Sequence, residues 1–134
     1  MWYWPRKFIQ YGYRANVGYL DSTKSICKIH NETGNIWSHL LGFIFLSYRL
    51  WQFSTGKFDD VFYSSTETTV ITSAAMISGM ICLYLSTQYH TFCDIGPKEY
   101  HFFLQYDFLG IIIMIFGYAF AGIWLAFTWH PKDR

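Results

Sequence analysis

The feature that most constrains the fold is an apolar run at 108–129, FLGIIIMIFGYAFAGIWLAFTW, which contains no charged residue. A helix that crosses about 30 Å of hydrocarbon needs roughly 20 mostly apolar residues. The run therefore predicts a transmembrane helix. The alternative is a buried helix of a soluble domain. Composition disfavours it, because aromatic residues make up 22% of the chain and charged residues 14%, whereas an average soluble protein is roughly 25% charged.

Two further segments have the length and character of membrane spans. Residues 70–89, VITSAAMISGMICLYLSTQY, are uncharged and rich in Ser, Gly and Ala, which let helices approach closely in lipid. Residues 36–53, IWSHLLGFIFLSYRLWQF, are less apolar because they contain His39 and Arg49. Arg49 lies near the end of the segment, where a long basic side chain can extend to the interface.

The three segments predict an all-α integral membrane protein in which each span packs antiparallel against the next. The polar linkers are expected at roughly 54–69 and 90–105. The expected divisions are an N-terminal segment at 1–35, transmembrane helices at 36–53, 70–89 and 106–129, and a C-terminal tail at 130–134.

The charge distribution predicts the orientation in the membrane. Cytosolic segments carry an excess of Lys and Arg, and the segment before the first span holds Arg6, Lys7, Arg14, Lys24 and Lys28. The N-terminus of this multi-pass protein is therefore expected in the cytosol, where its basic and aromatic residues suit contact with membrane lipids. The net charge is +1 and no basic run occurs, so no nucleic-acid partner is indicated.

Three polar residues at the inner edge of the spans are candidates for chemistry. Ser86 and His90 are four residues apart and so share a helix face. Asp107 lies at the start of the third predicted span, where the hairpin brings it to the depth of His90 and a helix N-terminus favours a carboxylate. Imidazole and carboxylate are zinc ligands. The alternatives are an interfacial histidine at His90 and a helix cap at Asp107.

The stretch HNETGNIWSHLLG at 30–42 forms the junction between the N-terminal segment and the first span. Asn35, just before the span, is the expected N-cap. Glu32 is expected either to pair with a nearby base or to stay at the surface. His39 is expected to face other helices, hydrogen-bonded rather than metal-bound.

Further along the chain, a cluster of polar residues falls in the predicted linker at 90–105. Its potentially reactive members are Cys93, Asp94 and His101. For these residues a solvated polar loop is the favoured interpretation.

Four motifs occur in a recognisable order: GYR at 12–14, IHNETGNIWSHLLG at 29–42, STQYHTF at 86–92 and YDFLGI at 106–111. Together they resemble the progestin and adipoQ receptor family, which includes the adiponectin receptors and is related to the hemolysin III-like proteins. The resemblance implies a seven-helix bundle with a cytosolic N-terminus, of which this chain is similar to the N-terminal part.

The resemblance also implies a zinc site. By matching motifs, His90 corresponds to the first zinc ligand, Ser86 to the serine one turn before it, and Asp107 to an aspartate that assists through water. Two further histidines of the family lie in an HxxxH motif, which does not occur in this sequence. The site is therefore incomplete in this chain, which is expected to be a fragment or truncated product and to bind zinc weakly or not at all.

In function, the resemblance implies a membrane receptor-like protein whose signalling is linked to lipid metabolism. Related members are thought to hydrolyse ceramide-type lipid amides, an activity expected only of a full-length chain. The expected ligand is a steroid, an adipokine or a lipid, and the expected location is the plasma membrane or the Golgi and endomembranes. The alternative is a non-catalytic scaffold that recruits cytosolic signalling proteins through its N-terminal segment.

Overall fold

The computed structural model describes residues 7–14, 18–55 and 66–128. Within these ranges the chain forms four α-helices and no strands: α1 (Tyr19–Ser25), α2 (Thr33–Ser54), α3 (Thr66–Phe92) and α4 (Pro97–Thr128). The prediction of an all-α protein is therefore confirmed for this part of the chain. The predicted tail at 130–134, most of the first linker, and the first six residues lie outside it.

Two of the described helices are long and apolar enough to cross a membrane. They are α3, with 27 residues, and α4, with 32 residues. The prediction of a third span at 36–53 is not supported. Helix α2 has 22 residues, but the polar residues His39, Arg49 and Gln52 interrupt its apolar sequence. It is therefore not apolar enough to count as a membrane span.

The connection between α3 and α4 is much shorter than the predicted linker at 90–105. Helix α3 continues to Phe92 and α4 begins at Pro97, where a proline fits because the first helical position needs no amide hydrogen. Asp107 consequently lies about three turns inside α4, at roughly 3.6 residues per turn, and not at its N-terminus. The expectation that a helix terminus stabilises this carboxylate is therefore wrong.

Helix α3 lies in the middle of the described bundle, packed against α2 on one side and α4 on the other. Small side chains make this packing close. A Cβ atom on Gly79 would lie 3.1 Å from the Leu46 side chain and 2.9 Å from the Tyr118 hydroxyl. A Cβ atom on Gly110 would lie 3.0 Å from the Cα atom of Cys82. The small residues noted at 70–89 thus act as the contact surface of α3.

The N-terminal segment is folded against the bundle in its described parts. Helix α1 packs against α3. Gly12 adopts φ +88°, a left-handed conformation that suits glycine, and its carbonyl accepts a hydrogen bond from the backbone N–H of Asn31 at 2.9 Å. The chain before α1 is therefore held next to the residues that lead into α2.

Candidate functional site

The site is built around a pair formed by Glu32 and His90. Glu32 immediately precedes α2, and only 2% of its surface is exposed. One of its carboxylate oxygens lies 2.8 Å from Nδ1 of His90, which is near the C-terminal end of α3. The expectation that Glu32 pairs with a nearby base is confirmed, and the base comes from a different helix.

Two asparagine side chains donate hydrogen bonds to the Glu32 carboxylate. Asn31 donates to one oxygen at 2.8 Å, and Asn35 donates to the other at 2.7 Å. Asn35 lies inside α2, which begins at Thr33 without a side-chain cap. The prediction that Asn35 caps the helix is therefore wrong: its amide orients the carboxylate that contacts His90.

His39 lies beside His90 within the bundle. The two imidazole ring centroids are 5.4 Å apart, which confirms that His39 faces another helix. Its Nδ1 atom is buried and has no hydrogen-bond partner within the described residues, so the expectation of a hydrogen-bonded His39 is not met at this atom.

The other two predicted site residues are buried near this cluster. Ser86 lies one turn before His90 on α3 and is 6% exposed. Asp107, on α4, is 9% exposed and close enough to His39 and Cys82 to interact with them electrostatically. No hydrogen bond or ion pair joins Asp107 to His90 in the described part of the chain. Both His90 and Asp107 interact electrostatically with His39, so the structure brings them into one region.

The described residues contain no group of three or more His, Cys, Asp or Glu side chains placed to hold a metal ion. Taken singly, His90 fits the role of a zinc ligand. Metal-bound histidines almost always donate their second ring nitrogen to a carboxylate or carbonyl, and Nδ1 of His90 has such a partner in Glu32. Since zinc sites normally use at least three protein ligands, the described residues do not by themselves make up a complete zinc site.

A second buried cluster, which the sequence did not predict, holds the end of α3 through Arg14. Its guanidinium donates to the carboxylate of Asp94 at 2.9 Å, the hydroxyl of Ser25 at 2.8 Å and the backbone carbonyls of Thr91 and His90 at 2.9 and 2.8 Å. The only signal in the sequence was the GYR motif, which says nothing of the partners.

The Arg14 cluster also changes the interpretation of the residues after α3. Cys93 and Asp94 are buried, so the expectation of a solvated loop is wrong for both. Burial, with the neighbouring charge of Asp94, raises the pKa of the Cys93 thiol well above its usual range. His101 is exposed, as expected of a solvated residue.

His30 links the end of α1 to Glu32 by hydrogen bonds. Its Nδ1 accepts the backbone N–H of Glu32 at 3.2 Å, and its Nε2 lies 3.1 Å from the carbonyl oxygen of Ser25. An imidazole that accepts at one nitrogen and donates at the other is neutral. Burial lowers the pKa of His30, and the positive charge of Arg14 lowers it further.

Comparison with known proteins places the chain in a family. Residues 27–134 match the haemolysin-III related family. The chain is 36% identical to progestin and adipoQ receptor family member 3 of mouse over 121 residues, which cover 90% of this chain and 39% of that protein. It is 29% identical to the adiponectin receptor protein of Drosophila melanogaster over 135 residues, which cover 99% of this chain and 30% of that protein.

The chain thus spans about two fifths or less of the length of these relatives. The family match covers most of the chain, and both relatives align with nearly all of it. Together with the two apolar helices long enough to cross a membrane, these similarities show that the chain is a membrane protein of the haemolysin-III related family, in the group of the progestin and adipoQ receptors.

Proposed function

We propose that this chain forms part of the zinc site of a receptor-like membrane hydrolase that acts on lipid amides of the ceramide type. The observation that carries the proposal is the buried contact between Glu32 and His90, 2.8 Å long. It leaves Nε2 of His90 as the ring nitrogen available to a metal. A buried carboxylate in contact with a histidine is the usual arrangement behind a metal-bound imidazole.

In this proposal each predicted residue has a separate role. His90 would bind the metal, Asp107 would orient a water molecule, and Ser86 lies one turn before His90 on the same buried face of α3. A zinc ion, when bound, polarises a carbonyl and activates water for attack on it. The resemblance to the family assigns the remaining ligands to an HxxxH motif in a later helix.

The exposed apolar surface of α4 supports a lipid substrate. Helix α4 exposes large apolar side chains over most of its length, including Ile112, Phe116 and Phe120. In a membrane protein such a surface contacts lipid chains or other apolar helices. An amide substrate with hydrocarbon chains could approach from the bilayer, and hydrolysis would connect the protein to lipid-linked signalling.

The charge distribution supports a cytosolic N-terminus and hence a site near the cytosolic face. Lys7, Lys24 and Lys28, which precede α2, are all exposed, and such positive charge favours the cytosolic side. Arg14, in the same N-terminal segment, donates to the His90 carbonyl oxygen at 2.8 Å, so the end of α3 and the turn at 93–96 lie beside that segment and would face the cytosol with it.

The proposal is tested by ceramide hydrolysis. The polypeptide encoded by the whole open reading frame that contains residues 1–134 would be purified and assayed with a fluorescent ceramide. We expect hydrolysis that a chelator abolishes and zinc restores, that is lost in His90→Ala, and that persists in His101→Ala, a change at an exposed position. Hydrolysis by His90→Ala at the wild-type rate would refute the proposal.

The alternative function, a scaffold for cytosolic proteins, is favoured by one observation. The described N-terminal residues expose large apolar side chains, with Phe8 87%, Tyr11 84% and Ile29 98% exposed. Because Arg14 fastens the same segment to α3, a deletion of residues 1–28 would also disturb the bundle. Replacing Tyr11 and Ile29 by serine is the cleaner test. A scaffold should then lose partner recruitment, whereas a hydrolase should keep its ceramide hydrolysis unchanged.

A further inference from the structure

We propose that Glu32 is a positioning residue: it holds His90 in the tautomer that carries its proton on Nδ1 and leaves the lone pair of Nε2 free. What that lone pair binds rests on the proposed function. The tautomer itself does not, since it follows from the contacts of Glu32.

The first support is the set of donors around the carboxylate. An ionised carboxylate accepts hydrogen bonds and has none to donate. Asn31 donates to one oxygen at 2.8 Å and Asn35 to the other at 2.7 Å. The 2.8 Å contact between Glu32 and Nδ1 of His90 therefore needs a hydrogen on Nδ1. A neutral imidazole has only one such hydrogen, so Nε2 is left as an acceptor.

The second support is that water has little access to this contact. The side chains of His90 and Glu32 are only 12% and 3% exposed. With so little solvent to replace either partner, the carboxylate is the group that decides which ring nitrogen carries the proton. A buried charge-assisted hydrogen bond of this kind is also stronger than a neutral one.

The third support is that the backbone of His90 is fixed independently of its ring. Arg14 donates to the His90 carbonyl oxygen at 2.8 Å and to the next carbonyl, that of Thr91, at 2.9 Å. Arg14 thereby anchors the main chain while Glu32 anchors the ring. A change at position 32 should consequently alter the imidazole without moving the end of α3.

The variant Glu32→Gln removes the negative charge and one acceptor oxygen of the side chain while keeping its size. A carboxamide has one acceptor oxygen where the carboxylate had two, and it also has an N–H group to donate. It cannot accept from Asn31, Asn35 and His90 in the native arrangement. If it donates to Nδ1 of His90, the ring proton moves to Nε2 and occupies the lone pair that a metal ligand requires.

Nitrogen NMR of the histidine rings reports the tautomer directly. The 134-residue chain, labelled with [15N]histidine, would be measured in detergent micelles at about pH 8.5, well above the usual pKa of a histidine side chain. The His90 signals are assigned by their loss in His90→Gln. We expect a protonated Nδ1 and an unprotonated Nε2 in the wild type. A wild-type His90 with its proton on Nε2 would overturn the proposal, whatever the variants do.

The variants then test the cause. In Glu32→Gln we expect the proton to shift to Nε2, wholly or in part. In the matched control Thr33→Ala, which removes the hydroxyl that bonds His30 and Lys28 but keeps the carboxylate, we expect the wild-type tautomer. A Glu32→Gln protein with the wild-type tautomer would contradict the role of Glu32. If that variant does not fold, the wild-type spectrum still decides whether the predicted tautomer exists.

A metal measurement separates this inference from the proposed function. In the product of the whole reading frame, Glu32→Gln should weaken zinc binding by about 10- to 100-fold, the usual effect of losing a carboxylate behind a metal-bound histidine. If the wild-type protein binds no zinc but shows the Nδ1–H tautomer, the positioning role stands and the zinc proposal fails. Unchanged zinc affinity in Glu32→Gln would contradict the positioning role.

Discussion

Glu32 and His90 are 58 positions apart in the sequence, and their side chains meet at 2.8 Å in the interior of the bundle. Their contact joins the residue that precedes α2 to the last turns of α3. Because the carboxylate is also bonded by two asparagines of the same NETGN stretch, the conspicuous polar junction at 30–35 orients a histidine of another helix.

The first prediction concerns the buried pair of Arg14 and Asp94, whose side chains are 6% and 7% exposed. Arg14→Met should destabilise the protein by about 3–5 kcal/mol, because it leaves a buried carboxylate without its partner. The double variant Arg14→Met, Asp94→Leu should be markedly less destabilised than the single one. The free energy of unfolding, measured in mixed micelles with increasing SDS, checks both. A double variant with the summed losses of the two single variants would contradict the pairing.

The second prediction concerns the contact between α3 and α4. A Cβ atom on Gly110 would lie 3.0 Å from the Cα atom of Cys82, which is backbone and has little room to move. Gly110→Ala should therefore destabilise the protein by about 1–3 kcal/mol. Gly122→Ala is the matched control in the same helix, because nothing lies within 4 Å of its Cβ position. It should be neutral or stabilising by up to about 1 kcal/mol. Equal effects at both glycines would disprove the close crossing.

The third prediction concerns pH and His30. Burial and the charge of Arg14 lower the pKa of His30. As the pH falls through the ordinary histidine pKa, the unfolded chain binds a proton that the folded protein resists, so stability decreases towards acid pH. His30→Asn keeps a side-chain acceptor for the Glu32 N–H but cannot titrate. The difference in unfolding temperature between wild type and variant should change between pH 7.5 and about pH 5, with the wild type losing more. Parallel pH curves would exclude this contribution.

The fourth prediction concerns thiol reactivity. Cys27 is exposed, whereas Cys93 is buried and its pKa is raised. A thiol reacts as its thiolate, so a water-soluble maleimide at neutral pH should label a single-cysteine protein that retains Cys27 and leave one that retains Cys93 unlabelled until it is denatured. Mass spectrometry of the two proteins before and after denaturation checks this. Rapid labelling of folded Cys93 would mean that the Arg14 cluster does not exclude solvent.

The sequence predicted features that depend on local pattern. The uncharged runs predicted α3 and α4, and the small residues of α3 predicted its close packing, because span length and side-chain size are visible within one segment. The span predicted at 36–53 failed the same criterion, since its polar residues lower its apolar character below that of a spanning helix. Likewise, the apolar pattern begins only near 106. It therefore did not indicate the nearly three turns of α4 that precede Asp107.

The pairing of distant side chains could not be predicted in this way. His90 was a candidate ligand, but nothing near it in the chain indicates Glu32. Asp94 was expected in a solvated loop, whereas it lies in a buried turn and accepts a hydrogen bond from Arg14. Both contacts depend on how the N-terminal segment folds back on α3. Asn35 shows the same limitation, because a residue type that often caps helices serves here to bond a carboxylate.

The zinc content of purified protein tests most directly whether His90 is a metal ligand. The 134-residue chain should hold little zinc; stoichiometric zinc at micromolar affinity would contradict this expectation of an incomplete site. The product of the whole reading frame should hold about one zinc ion per chain, lose it in His90→Ala and keep it in His101→Ala. Equimolar zinc in His90→Ala would contradict the account.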